Sequence, residues 1–172
     1  MAKPIKIISA TFRGKLVGFV SALLIIEFLI FPLRSTGSAL SPAIETRKME
    51  TRVFSLINRV RSRSGLNELK INNYLSNLAR QHSLDMATGK SPFGHQGFES
   101  RTSLIKRQIG AAYFAENVDY NQGYDDPANE AVEDWITSPK HLVNIKGEYK
   151  LTGVGVAIAG DGGYYYTQIF AR

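Results

Sequence analysis

The sequence predicts an α+β fold, and two observations support that prediction. Apolar side chains recur at helical spacing in four segments between residues 44 and 138. Two β-rich runs lie near the end of the chain, residues 151–159 and 164–171, and the glycine-rich link between them is typical of a hairpin. Because helices outnumber strands and the sheet comes partly from the C-terminus, an α+β sandwich is favoured.

The first two helices have recognisable ends. The first is predicted over residues 44–64, and Gly65 can adopt the left-handed conformation that ends a helix. Asn72 or Asn73 is suited to cap the second helix, whose apolar stripe includes His82. A histidine on such a stripe is expected to be a hydrogen-bonded residue at the edge of the core rather than a ligand.

The middle of the chain predicts a loop, two further helices and a strand. Residues 91–100 contain a proline and two glycines and are therefore predicted to form a loop, with a short helix after them. Residues 111–121 predict a strand with polar interruptions. The last helix carries Pro127 in its first turn, after an aspartate suited to cap it, and Pro139 ends it.

The first forty residues are predicted to direct export. An apolar run over residues 16–33 directly follows basic residues, as in a signal peptide or a signal-anchor transmembrane segment spanning residues 1–39. Cleavage after Ala39 and retention as an uncleaved anchor both stay open. The preceding positive charge places the N-terminus inside, so the domain is expected outside the cell, either held at the membrane or secreted. Residues 40–49 are predicted to be a linker, and residues 50–172 the domain.

Composition excludes several classes of function. The chain has no cysteine, so it has no disulfide scaffold, thiolate nucleophile or cysteine zinc site. Its net charge is +6, but residues 1–39 carry five of the 21 basic residues and one of the 15 acidic ones. The remaining 16 basic and 14 acidic residues give a net charge of only +2, so no nucleic-acid partner is expected.

Three stretches of sequence together resemble one protein family. They are NRVRSRSGLNELKINNYLSNLARQHSLDMA with FGHQGF, then AENV, then WITSPKHLVNI with the final β-rich runs. Their order and spacing resemble the CAP superfamily (cysteine-rich secretory protein, antigen 5 and pathogenesis-related proteins), in its cysteine-free bacterial form. The resemblance implies a three-layer α-β-α sandwich with a central, mostly antiparallel sheet and a shallow cleft.

The resemblance also implies which residues line that cleft. Two histidines and two glutamates line it in eukaryotic members; His95 of FGHQGF and Glu116 of AENV match the first of each. The other two positions hold Ser138 and Tyr165, and bacterial members are similar to this chain in offering instead a histidine at the position of His141. Three polar residues are expected to support the cleft from behind, and two further tyrosines are candidates for its lining: Asn117, Asn144 and Gln168, with Tyr113 and Tyr120.

Two imidazoles and a carboxylate suit an open divalent-metal site, zinc for example. His95, Glu116 and His141 are therefore a candidate metal trio, although their spacing matches no local zinc motif and their convergence depends on the resemblance alone. The alternative is a hydrogen-bonded cluster that holds the loops in place.

Two functions stay open at this stage. One is a binding module that recognises an envelope polymer, a lipid or a protein through the cleft; the other is a metal-dependent hydrolase using the same cleft. A serine hydrolase using Ser138 near His141 is a weaker third hypothesis, because no G-x-S-x-G motif is present. A cap or turn role for Ser138 before Pro139 is favoured.

Overall fold

The structure is a computed structural model that describes residues 41–172. It contains five helices and four strands. In chain order these are α1 (Pro42–Arg63), β1 (Lys70–Ile71), α2 (Asn73–Ala87), α3 (Phe98–Ile109), β2 (Phe114–Asn121), α4 (Pro127–Thr137), α5 (Pro139–Ile145), β3 (Leu151–Ile158) and β4 (Tyr164–Ala171).

The four strands form one sheet in the order β1-β3-β4-β2. Strands β2, β3 and β4 pair antiparallel, and only the two-residue strand β1 runs parallel to its neighbour β3. The hairpin predicted from the glycine-rich link joins β3 to β4. Strand β2, which carries Glu116 and Asn117, therefore lies at one edge of the sheet.

Helices α1 and α4 cover one face of the sheet and bury most of the core. Trp135 of α4, Val53 of α1 and the β4 residues Tyr166 and Phe170 are fully buried there. The indole Nε1 of Trp135 donates to the carbonyl of Val118 on β2 over 3.0 Å, which satisfies a backbone acceptor at the edge strand.

Helix α2 covers the opposite face of the sheet and approaches β3 closely. A Cβ atom at Gly153 would overlap the backbone of Leu75 and Ser76, and a Cβ atom at Gly155 would overlap that of Ala79 and Arg80. The two glycines of the GVGVA run therefore allow direct contact between helix and strand. With helices on both faces of a mostly antiparallel sheet, the predicted three-layer α-β-α sandwich is confirmed.

Two polar side chains of α1 tie the loops to this framework. Asn58 exchanges hydrogen bonds with both backbone groups of Leu69. Arg61 is 2 % exposed and donates to four carbonyls, those of Asn67, Ile145, Gly147 and Tyr149. Buried donors and acceptors are thereby paired, and the role of both residues is structural.

The structure differs from the sequence-based expectation in several places. Helix α3 begins at Phe98, inside the segment 91–100 that is predicted to be a loop. Pro139 does end α4, but it also begins α5, because proline is tolerated in the first turn of a helix. Strand β1 was not predicted, since two residues carry no periodicity. Helix α1 begins at Pro42 and so includes most of the segment 40–49 that was assigned to a linker.

The predicted leader, residues 1–39 with its apolar run 16–33, lies outside the described residues. Among the helices of residues 41–172, none combines the length and the hydropathy that crossing a membrane requires.

Candidate functional site

The candidate site lies beside β2 and is built from four side chains of different elements. Glu116 is on β2, His95 is in the loop between α2 and α3, Arg101 is in α3, and His82 is in α2. The carboxyl group of Glu116 is at the centre, because the other three all approach it.

Glu116 receives three hydrogen bonds through its two carboxylate oxygens. Arg101 donates from Nε to Oε2 over 2.8 Å and from Nη2 to Oε1 over 2.7 Å, a two-point pairing of guanidinium and carboxylate. Nδ1 of His95 lies 3.1 Å from Oε1. The Glu116 side chain is 1 % exposed and that of Arg101 is 11 % exposed, so this ion pair is buried.

The protonation states in this cluster follow from its contacts. Burial pushes the pKa of Glu116 upward, but the hydrogen bonds from His95 and Arg101 and the charge of Arg101 outweigh burial, so the pKa lies below its ordinary value. An ionised carboxylate has no proton to donate, so the His95 nitrogen facing it, Nδ1, carries the proton. In the neutral form of the His95 ring, the free lone pair is then on Nε2.

His82 is a buried, hydrogen-bonded histidine, as expected from its place on the apolar stripe. Its side chain is 2 % exposed, and Nε2 lies 2.7 Å from the carbonyl oxygen of Gly94, to which it donates. Burial lowers the pKa of His82, with a further lowering from the charge of Arg101. His82 therefore supports the loop that carries His95.

His95 faces solvent at the mouth of an open cavity. Its side chain is 50 % exposed, in contrast to the buried Glu116 below it. The cavity has a volume of about 420 Å³ and is lined by His95, Phe98, Phe114, Ala115, Glu116 and Asn144. The resemblance implies a shallow cleft in this fold, and this cavity is the candidate for it.

His141 lies in α5, and its side chain makes no hydrogen bond or ion pair with any of residues 41–172. It also does not line the cavity. Burial lowers its pKa, and the charge that the His95 ring carries when protonated lowers it further. The structure therefore brings His95 and Glu116 together, but it does not add the His141 imidazole to them.

Asn117 and Asn144 connect β2 to α5 beside the cleft, and Asn144, expected to support the cleft from behind, also lines the cavity itself. Nδ2 of Asn144 donates to Oδ1 of Asn117 over 2.8 Å and to the Glu116 carbonyl over 3.4 Å, and Nδ2 of Asn117 donates to the His141 carbonyl over 3.2 Å. Gln168 pairs with Asn117 across the strands and donates to Oγ1 of Thr152. These contacts hold the strand that carries Glu116.

Tyr165 does point to the opposite face from Tyr164 and Tyr166, as its position in the strand predicts. It packs against the Tyr120 ring, with ring centroids 4.8 Å apart, and against the Phe93 ring at 6.3 Å. Neither Tyr165 nor Tyr120 lines the cavity beside Glu116.

Tyr113 and Ser138 lie apart from the cavity as well. The Tyr113 ring stacks under the guanidinium of Arg172. Ser138 joins α4 to α5, and its carbonyl accepts hydrogen bonds from the amides of His141 and Leu142. It therefore has the turn role favoured for it, with no side-chain capping hydrogen bond.

Comparison with known proteins decides the family. Residues 54–170 match the family described as CAP, the cysteine-rich secretory protein family. The chain belongs to the CAP family. It is also similar to "Uncharacterized protein YkwD" of Bacillus subtilis, with 29% identity over 139 residues. That alignment includes 80% of this chain and 52% of the relative, so the chain spans about half the relative's length.

Solved structures support the same CAP fold. An extracellular protein containing an SCP domain from Bacillus anthracis is 28% identical, with a TM-score of 0.61, over 74% of this chain and 41% of that one. A cysteine-rich secretory protein from Staphylococcus aureus is 24% identical, with a TM-score of 0.59, over 76% and 40%. An outer surface protein of Borrelia burgdorferi shares the fold at 17% identity and a TM-score of 0.61, over 73% and 93%.

The side chains of this CAP cleft do not fit a divalent metal. Both oxygens of Glu116 already accept hydrogen bonds from Arg101, and the fixed guanidinium charge repels a cation at the same place. Among residues 41–172, no group of three or more His, Cys, Asp or Glu side chains could hold a metal ion. The candidate trio His95, Glu116 and His141 therefore forms no metal-binding group in the structure.

Sequence reasoning missed Arg101, as well as the cavity residues Phe98 and Phe114. Arg101 lies on the short, mostly exposed helix α3, where basic residues usually face solvent, and no local pattern distinguishes it from Lys106 or Arg107. Its spacing of 15 residues from Glu116 also gives no signal. Only the fold shows that it is the partner of the cleft carboxylate.

Proposed function

We propose that this CAP domain is an extracytoplasmic binding module that recognises a ligand of the cell envelope through the cleft at His95. The observation that carries the proposal is the difference in solvent exposure between the two hydrogen-bonded residues Glu116 and His95. Glu116 is buried and fixed by Arg101, whereas His95 is half exposed at an open cavity. A rigid polar group presented at a concave surface is typical of a binding site.

Two independent observations support a location outside the cytoplasm. The basic residues and apolar run of residues 1–39 have the order of an export signal. The Bacillus anthracis relative is an extracellular protein, and the Borrelia burgdorferi structure is an outer surface protein. We propose that residues 41–172 reach the same side of the membrane, whether the leader is cleaved near Ala39 or kept as an anchor.

The proposal is tested by capture of envelope material on the immobilised full chain. Envelope is separated into glycan polymer, lipid vesicles and protein, and each fraction is offered to wild type, His95→Ala and Arg107→Ala. Arg107 is exposed on α3 and does not line the cavity, so it is the control. Wild type and Arg107→Ala should capture one fraction and His95→Ala should not; equal capture by all three proteins would refute the cleft.

The alternative function, a metal-dependent hydrolase, receives no support from the cleft. Both oxygens of the Glu116 carboxylate accept hydrogen bonds from Arg101, so we assign no catalytic step to a metal in the cleft. Elemental analysis of the purified chain tests this assignment, and a stoichiometric divalent ion lost on His95→Ala substitution would overturn it.

A further inference from the structure

The hydrogen-bonding groups of the cleft define the chemistry of its ligand, and this inference rests on the proposed function. The cavity volume of about 420 Å³ lies in the range of about 300–1,000 Å³ that is usual for small-ligand sites. Three polar side chains line the cavity, those of His95, Glu116 and Asn144. The atoms of these three side chains that make no hydrogen bond within the protein are available to a ligand.

His95 offers an acceptor. Nδ1 faces Oε1 of Glu116 at 3.1 Å and donates to it, so in the neutral form of the ring the lone pair of Nε2, on the other side of the ring, is left for a ligand. Glu116 accepts three hydrogen bonds from Arg101 and His95, and its ionised carboxylate has no donor to offer a ligand.

Asn144 offers a second acceptor. Its Nδ2 group donates to two acceptors, Oδ1 of Asn117 and the carbonyl of Glu116, and this fixes which end of the amide is the donor. Oδ1 of Asn144 takes no hydrogen bond from any of residues 41–172. The free side-chain groups of the cavity are thus both acceptors, and a ligand that donates hydrogen bonds is required.

The remaining lining is uncharged and partly aromatic. The charge of Glu116 is balanced by Arg101 within hydrogen-bonding distance, so the cavity floor offers no net charge to a ligand. Phe98 and Phe114 are half-buried at the cavity and present apolar ring surface to it. The charged groups of an anionic polymer or a lipid phosphate only accept hydrogen bonds, so they do not match this surface.

We propose that the cleft binds an uncharged sugar residue of an envelope glycan. Hydroxyl groups of the sugar donate to Nε2 of His95 and to Oδ1 of Asn144, and an apolar C–H face of the ring packs against Phe98 or Phe114. A peptide fits less well, because its backbone brings as many acceptors as donors to a surface whose free side-chain groups are both acceptors.

The test is a calorimetric titration of the full chain with a neutral probe, the tetramer of N-acetylglucosamine. The tetramer of galacturonic acid is the anionic comparison, and an uncharged Gly-Ser peptide of eight residues is the peptide comparison. Phe98→Ala is matched by Phe93→Ala, because Phe93 is 56 % exposed and lies outside the cavity. His95→Leu removes the acceptor.

Wild type should bind the neutral tetramer at least tenfold more tightly than either comparison. Phe98→Ala and His95→Leu should each weaken that binding by about tenfold or more, with Phe93→Ala within about twofold of wild type. Preference for the anion or the peptide, no binding of the neutral tetramer, or equal effects of Phe98→Ala and Phe93→Ala would each overturn the inference.

The two proposals fail separately. Should envelope capture still depend on His95 while the sugar tetramer is not bound, the sugar assignment is wrong and the binding module stands. Should envelope capture be insensitive to His95→Ala, the binding module falls, and the sugar assignment falls with it.

Discussion

Replacing Arg101 by methionine should lower the free energy of unfolding, because the buried carboxylate of Glu116 would lose its cation. Methionine keeps much of the apolar stem of Arg101 but removes three hydrogen bonds, two to Glu116 and one to the carbonyl of Gln96. Glu116 is 1 % exposed, so its charge would remain buried without its cation. Breaking a buried ion pair in this way typically costs about 3–5 kcal/mol in the free energy of unfolding.

The pH dependence of that loss identifies its cause. In wild type the pKa of Glu116 lies below its ordinary value, so the carboxylate adds stability above the unfolded-state pKa and loses it as the pH falls through the folded-state pKa. Without Arg101, burial should raise the pKa of Glu116 and make the protonated form the more stable one. The stability difference between wild type and Arg101→Met should therefore shrink as the pH is lowered from 7 to 5.

The assay is urea unfolding of the full chain at several pH values, with two controls. Arg107→Met changes an exposed arginine on the same helix and should alter stability by no more than about 0.5 kcal/mol. Adding Glu116→Gln to Arg101→Met removes the buried charge and should restore part of the loss. If Arg101→Met matched Arg107→Met at pH 7, or if the loss did not shrink in acid, the electrostatic account of the cleft would be refuted.

Two further predictions concern the sheet. The pKa of Asp119 is raised to about 6 by burial and by the Asp134 carboxylate, so ionised Asp119 destabilises the fold above that pH. Asp119→Asn should raise the free energy of unfolding at pH 7.5 by up to about 3 kcal/mol, measured by urea unfolding. At pH 4 the folded-state carboxyl is protonated, so a variant that still differed from wild type at pH 4 would contradict this prediction. Gly155→Ala should lower the free energy of unfolding by about 1–3 kcal/mol, measured by thermal unfolding, because the backbone of α2 contacts that glycine. Gly160 has an open position, so Gly160→Ala should leave the stability unchanged. Equal losses of stability in the two variants would contradict the close approach of α2 to β3.

Most of the fold could be predicted from the sequence because its elements are locally encoded. Asn72 accepts a hydrogen bond from the Leu75 amide and Asp126 accepts one from the Asn129 amide, so both helix starts lie where capping chemistry placed them. Helix α5 was missed because a proline that ends one helix and a proline that begins the next look alike in sequence. Strand β1 is defined only by its pairing with β3.

The candidate site was predictable only in part, for a different physical reason. His95 and Glu116 meet as the resemblance implied, because a loop and an edge strand bring them together. The pairing of the Arg101 guanidinium with Glu116 depends on side-chain positions 15 residues apart in sequence. The packing of Tyr165 on Phe93 depends on positions 72 residues apart. Neither contact produces a periodic pattern or a local motif in the sequence, so neither contact could be predicted before the fold was known.

The most direct test of the central claim is the protonation pattern of the His95 ring, measured by nitrogen NMR of the full chain at neutral pH. In the neutral form of the ring, the proton should lie on Nδ1, hydrogen-bonded to Glu116, and Nε2 at the cavity should be unprotonated. This pattern should be retained in Phe93→Ala and lost in Glu116→Gln. A wild-type ring with its proton on Nε2 would contradict the account.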